Sequence, residues 1–240
     1  MSRRTAKARI VQPRGACYNP LVLARNVALF DLDRTLLRVD SARLYTQFRR
    51  DRGEASLLDA LRVGLWAAQY TLGVIDAPKV ARKALESFRG RAESWLEQSC
   101  LEWFPKYVLP ELQQAGRQAV QKHREAGDII AIVTGATRYV AEPVAAELGI
   151  EHVICSELEI DLQGCFTGQI VEPLCYGSGK VERTSKLAER EGFRLEDAVF
   201  YSDSITDLPL LEFVKAPIVI NPDRRLRKIA VKRGWPIEAW

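Results

Sequence analysis

A short apolar run that ends in two carboxylates restricts this chain more than any other stretch. Val27-Ala28-Leu29 leads into Phe30-Asp31-Leu32-Asp33-Arg34-Thr35-Leu36. Side chains alternate along a strand, so Asp31 and Asp33 would share one face if the strand continued. At the carboxyl end of a strand they can instead converge on one ion and one substrate. Two bare carboxylates that close repel each other, and the pair is tolerated when a cation lies between them or one holds a proton. Open α/β sheets bind ligands at the carboxyl ends of their strands. The segment therefore predicts a metal-assisted or acid/base site at the tip of an α/β sheet.

Further apolar runs end the same way. Ile130-Ala131-Ile132-Val133 ends in Thr134-Gly135. Ala198-Val199-Phe200-Tyr201 ends in Ser202-Asp203-Ser204, with Asp207 four residues after Asp203. Between them, Lys180 follows Gly177-Ser178-Gly179 and opens a helical pattern. Strands are expected at 26–31, 128–133, 152–155, 198–201 and 217–220, with a hairpin over 158–170 around Gln163-Gly164. Helices are expected at 110–126, 137–148, 179–191, 207–213 and 224–233. Strands alternating with helices predict an α/β protein, a doubly wound and mainly parallel sheet.

Residues 40–110 interrupt this alternation. Helical spacing of apolar residues recurs over 41–50, 56–70, 78–89 and 92–104, with no convincing strand. The block reads as an all-helical insert between the first two strands, a cap over a core made of 26–39 and 111–240. Three of the five tryptophans, Trp66, Trp95 and Trp103, fall in it and are expected to fill its interior.

The set DxDxT, Ser/Thr, Lys and DxxxD, in that order, resembles the haloacid-dehalogenase-like hydrolase superfamily over residues 26–222. An insert after the first motif is similar to the capped C1 branch. The helical insert, the hairpin and Cys175-Tyr176-Gly177-Ser178-Gly179-Lys180 look like its phosphoserine-phosphatase-like subfamily IB. The resemblance implies a Rossmann-like core and phosphomonoester hydrolysis through an aspartyl-phosphate on Asp31. It makes Asp33 the acid that protonates the leaving alkoxide and the base for the attacking water. It implies Mg²⁺, held by the Asp31 carboxylate, the Asp33 backbone carbonyl and the Asp203 carboxylate. Thr134, the Gly135 amide and Lys180 would hold phosphate. Asp207 would orient Lys180 or a metal-bound water, and Thr35 would brace the motif loop. Taken alone, Asp207 reads equally as a helix cap.

Departures from the pattern bear on substrate choice. Arg34 puts a bulky cation between Asp33 and Thr35, and Ser202 stands where relatives often have glycine. Asp40 lies where the phosphoserine phosphatases carry a glutamate that meets the substrate amine; it reads alternatively as the cap of the helix from Ser41. Arg82, Arg89 and Arg91 are candidates for a substrate carboxylate. A small phosphorylated metabolite is expected, such as phosphoserine, histidinol phosphate or another amino-alcohol phosphate. Two other readings stand beside it: a lipid-phosphate phosphatase at a membrane surface, and a non-catalytic binding module.

Bulk properties place the protein among soluble, cytoplasmic ones. The 240 residues are 47% hydrophobic and 28% charged, ordinary for a globular chain. No apolar stretch is long enough to span a membrane, and the amino terminus lacks the apolar core of a secretory signal. The net charge of +4 is a property of the tail. Residues 1–25 carry six Lys/Arg and no acid, and the rest of the chain carries 29 basic against 31 acidic residues. A solvated, poorly ordered extension is expected there, and no nucleic-acid partner; the sharper alternatives are contact with nucleic acid or anionic lipid, or a transit peptide. The five cysteines form no CxxC and fit a reducing compartment. His123 and His152 are expected to fill space rather than catalyse.

Overall fold

The computed structural model describes residues 26–54 and 86–240. The basic tail, the helix expected over 56–70, most of that over 78–89, and Cys17, Trp66 and Arg82 lie outside the described residues. So does the basis of the membrane-surface alternative. Among the described residues no helix is long and apolar enough to cross a membrane.

Seven strands form one sheet in the order β4-β3-β2-β1-β5-β6-β7. They are β1 Val27–Phe30, β2 Ile129–Thr137, β3 His152–Ile160, β4 Phe166–Val171, β5 Val199–Ser202, β6 Ala216–Ile220 and β7 Ile237–Glu238. All neighbours are parallel except the β3–β4 hairpin. β1 is the centre: it pairs with β2 on one side and β5 on the other. The chain order reverses there, which opens a crevice at the carboxyl end of β1.

The sheet is covered on both faces. The β1 side chains show why. Val27 and Leu29 join a cluster with Leu187, Leu210, Leu211, Leu226 and Ala230, from α5 Ser178–Glu191, α6 Leu208–Phe213 and α7 Arg224–Arg233. Ala28 and Phe30 face the other way. They pack with α1 Ser41–Asp51, α2 Glu93–Trp103, α3 Gln114–Glu125 and α4 Arg138–Leu148 through Leu44, Leu96, Val120 and Val144. A strand buried on both faces has to be apolar throughout, as β1 is.

Several boundaries differ from the expected ones, each for a local reason. The helix expected from Pro110 starts at Gln114. Leu109–Glu111 is instead a tight turn, and Leu112 bridges Leu37 antiparallel, so the two links between core and insert run side by side. β2 continues four residues past Val133, to Thr137. The strand at 152–155 and the first hairpin arm are one element, β3. The two-residue β7 escapes notice, being too short for any periodicity. In the insert, Glu86–Phe88 is a short 3₁₀ turn rather than the end of an α-helix. The following segment is extended: Ala92 bridges Cys165, and Gly90 N–H donates to Phe166 O at 2.8 Å. The described part of the insert is therefore not helical throughout. Trp103 is buried and packs edge-on to Tyr45, as a core residue.

Candidate active site

Asp31 follows β1 directly, its N–H donating to Tyr201 O at 2.9 Å. Its neighbours arrive from the strands beside β1 and the helix below. Lys180, 3% exposed near the start of α5, donates through Nζ to Asp31 Oδ1 at 2.6 Å and to Asp207 Oδ2 at 2.7 Å. Asp207 does not cap α6 with its side chain. Its carboxylate goes to Lys180 and to Ser202, whose Oγ donates to Oδ2 at 2.6 Å. Asp203 directly follows β5, and its Oδ2 lies 3.6 Å from Arg34 Nε.

These groups are packed away from water, and their acidities follow. Burial pushes Asp31 up to about 7, with Lys180 pulling against it and Asp207 and Asp33 adding repulsion. Burial also raises Asp203 well above the carboxylate range, helped by Asp31 and Asp207 and opposed by Arg34. Burial works against the Lys180 charge, but Asp207 and Asp31 outweigh it and hold the ammonium charged. Like charges at this density want a cation.

The first motif turns sharply to leave the strand. Arg34 has φ 59°, a left-handed conformation uncommon for a large side chain. Leu37 N–H closes the turn on Leu32 O at 2.9 Å. Beyond the turn the Asp33 side chain is held by Ser41, while its charge still acts on Asp31. Asp33 accepts the Ser41 N–H at 2.8 Å on Oδ1 and the Ser41 hydroxyl at 3.1 Å on Oδ2. Burial lifts Asp33 to about 6, with the Ser41 bonds acting in the other direction. Asp33 thus occupies the α1 cap, and Asp40 makes no side-chain cap bond there. The Asp40 charge acts on both Asp33 and Asp203. Thr35 is fully buried, but its hydroxyl has no partner among the described residues. The loop is braced through backbone instead: Gln113 Nε2 donates to Thr35 O at 2.7 Å, and Gln113 N–H to Leu36 O at 2.8 Å.

Thr134 and Gly135 sit on a bulge. Val133 pairs with Ile154 and Thr137 with Ser156, so three residues of β2 face one of β3. Bulges re-aim side chains beside sites. The Thr134 oxygen accepts the Ala136 N–H at 3.0 Å. Close packing does not demand Gly135: an added Cβ would lie 3.4 Å from Cys175 O, an ordinary contact. Gly179 is the glycine that packing demands, since a Cβ there would stand 2.0 Å from Leu174 O.

The structure does not bring Arg89 and Arg91 to these groups. Arg89 packs on Gly168 of β4, and the Arg91 guanidinium lies 4.4 Å above the Trp95 ring. The insert meets the core elsewhere. Glu93 accepts from Arg138 and, at 2.7 Å, from the Tyr139 hydroxyl, at the start of the helix that follows the Thr134 bulge. His123 is no inert filler: it joins Asp128 at 2.7 Å and the Tyr201 hydroxyl at 2.9 Å beneath the site.

With this geometry in place, likeness to known proteins decides the family. A family model described as haloacid dehalogenase-like hydrolase matches residues 28–212. The chain belongs to that family. This hydrolase is 30% identical over 220 residues to the histidinol-phosphatase of Neisseria meningitidis serogroup C (strain 8013), covering 89% of this chain and 98% of that one. It is 31% identical over 227 residues to the phosphoserine phosphatase SerB1 of Mycobacterium tuberculosis (strain ATCC 25618 / H37Rv), covering 93% of this chain and 73% of the relative. A solved structure of a protein of unknown function from Bordetella pertussis Tohama I is 33% identical, with TM-score 0.80 over 89% of this chain and 98% of that one. A substrate-bound phosphoserine phosphatase shares the fold at TM-score 0.65 and 18% identity, over 85% of this chain and 90% of that one. The hydrolase is of the phosphoserine-phosphatase-like branch and is a phosphoric monoester hydrolase.

Proposed function

We propose that this hydrolase removes phosphate from a small amino-alcohol phosphate, with Asp31 as nucleophile. The observation that carries the reading is Lys180 held charged between Asp31 and Asp207 at the carboxyl end of the central strand. A phosphate dianion repels nucleophiles, so positioning and charge neutralisation supply most of the catalysis. The buried ammonium attracts the phosphate to Asp31 and keeps the attacking carboxylate oriented. Thr134 and the Gly135 amide hold phosphate oxygens from the bulge. Attack by the Asp31 oxygen forms an aspartyl-phosphate and breaks the ester bond; Asp33 delivers a proton to the departing alkoxide. Asp33 then takes a proton from the water that hydrolyses the acyl phosphate.

Mg²⁺ fits the donors present. Asp31, Asp203 and the Asp33 backbone carbonyl offer hard oxygen ligands only, and the two buried carboxylates repel each other. Among the described residues no three His, Cys, Asp or Glu side chains gather as a cage, and this set needs two carboxylates and a carbonyl. Bound there, the ion would neutralise phosphate charge. Residues 40–110 act as the cap that shields the reaction. The four described cysteines are all free thiols, in keeping with a cytoplasmic protein.

The substrate class rests on Asp40. Its carboxylate takes no cap bond, yet its charge reaches Asp33 and Asp203. In this reading it meets an ammonium near the phosphate. Phosphoserine and histidinol phosphate, the substrates that the relatives' names point to, both carry one. The test is turnover of a panel of phosphorylated metabolites and their deaminated analogues, with Mg²⁺. Amino-alcohol phosphates are expected to lead; Asp31→Asn abolishes turnover in a folded protein; Asp40→Asn lowers kcat/KM for amine-bearing substrates alone. An active Asp31→Asn variant refutes the nucleophile, and equal losses on both substrate classes refute the amine contact.

A further inference from the structure

Ser202 closes a line of charge-assisted hydrogen bonds that ends on the nucleophile. It is fully buried at the end of β5. Its Oγ accepts the Ser204 N–H at 3.3 Å and donates its proton to Asp207 Oδ2 at 2.6 Å. The same carboxylate oxygen accepts Lys180 Nζ at 2.7 Å, and Lys180 reaches Asp31 Oδ1 at 2.6 Å. One hydroxyl on β5, one carboxylate ahead of α6, one ammonium on α5 and the nucleophile after β1 are therefore linked in series.

The link has a consequence for Lys180. The lysine is shared by two carboxylates, Asp31 and Asp207, and leans toward whichever keeps more of its charge unsatisfied. Hydrogen bonds to an ionised group are the strong ones. A donated hydroxyl on Oδ2 takes up part of the Asp207 charge and stops that carboxylate from rotating. Lys180 is then left where Asp31 and an incoming phosphate can use it. A glycine at 202 has no group that could do this. We infer that Ser202 is a positioning residue of this hydrolase: through Asp207 it sets how far the Lys180 charge is available to Asp31 and to the substrate phosphate. The inference rests on the role proposed above for Lys180.

The bland alternative is a serine whose hydroxyl satisfies only itself. The two differ in coupling. The full-length protein is made with Ser202→Ala, Ser202→Gly and Ser202→Thr, and with Ser202→Ala in an Asp207→Asn background. Turnover of p-nitrophenyl phosphate and binding of inorganic phosphate, both with Mg²⁺, are measured beside thermal melts. Loss of one bond to a buried charge is expected to lower kcat and weaken phosphate binding about tenfold or more in the Ala and Gly variants. Ser202→Thr, which keeps the hydroxyl, recovers most of both. In the Asp207→Asn background Ser202→Ala changes neither by more than about twofold, because its partner is already altered. Wild-type kcat and phosphate affinity in any folded hydroxyl-free variant overturn the inference, as do losses that multiply in the double variant. If Ser202→Ala fails to fold, the Gly and Thr pair decides by the same criteria. A wild type that neither turns over p-nitrophenyl phosphate nor binds inorganic phosphate refutes the functional reading, and the inference falls with it.

Discussion

Ser41 holds Asp33 with both its N–H and its hydroxyl, eight residues along the chain. That contact exists only because Arg34 turns left-handed and folds the chain back. The order of the motifs, and the family they resemble, made Asp31, Asp203 and Lys180 legible, each beside the end or start of an element. Neither could show that Asp33 would take the α1 cap from Asp40, because which carboxylate reaches a helix end depends on the turn between them. The consequence is testable. Removing the Ser41 hydroxyl leaves Asp33 with one of its two bonds and loosens a group needed chiefly when the leaving group is a poor one. Ser41→Ala should lower kcat about tenfold on an alkyl phosphate and leave an aryl phosphate nearly unchanged, with Ser41→Thr restoring the ratio. Equal losses on both substrates would assign Ser41 to stability alone.

At the scale of elements, the strands were easier to read than their ends. β1 and β5 declare themselves by apolar runs stopped by acids. The pattern ends β2 at Val133, because a threonine and a glycine look like a loop when the bulge that keeps them in the sheet is not visible. Gly179 shows the same limit. It reads as ordinary turn chemistry, yet the backbone of Leu174 occupies the space a Cβ would need. Backbone cannot swing aside as a side chain can. Gly179→Ala is therefore expected to cost about 1–3 kcal/mol, the range for overpacking. It should also displace Lys180, its neighbour on α5. Denaturant unfolding gives the first number and kcat the second; a variant as stable and active as wild type would show that the loop relaxes freely.

In the whole molecule, β1 sits between β2 and β5 and brings residues 31, 134 and 203 together from distant parts of the chain. The price is a knot of buried like charge, Asp31, Asp203 and Asp207, with Lys180 as its buried counter-charge and the half-exposed Arg34 at its edge. A divalent cation should therefore stabilise the fold. At a hundred times its Kd, Mg²⁺ would add about 2.7 kcal/mol, a shift of several degrees in Tm that chelation reverses. Asp203→Asn removes one ligand and one buried charge. It is expected to abolish most of the Mg²⁺-induced shift while leaving the metal-free protein no less stable. An undiminished shift would place the metal elsewhere.

Fold class, the order of the strands' functional ends and the residues at those ends are all written in the amino-acid pattern. Apolar runs must be buried, and polar groups that end them must lie at the sheet's rim. Which groups touch depends on the packed fold: Ser202 on Asp207, Ser41 on Asp33, Gln113 on the Thr35 backbone, Glu93 on Arg138. The reason is physical. Burial is a property of local pattern, written in periods of two and of 3.6 residues. A hydrogen bond between side chains needs about 3 Å of agreement between elements that the pattern never compares.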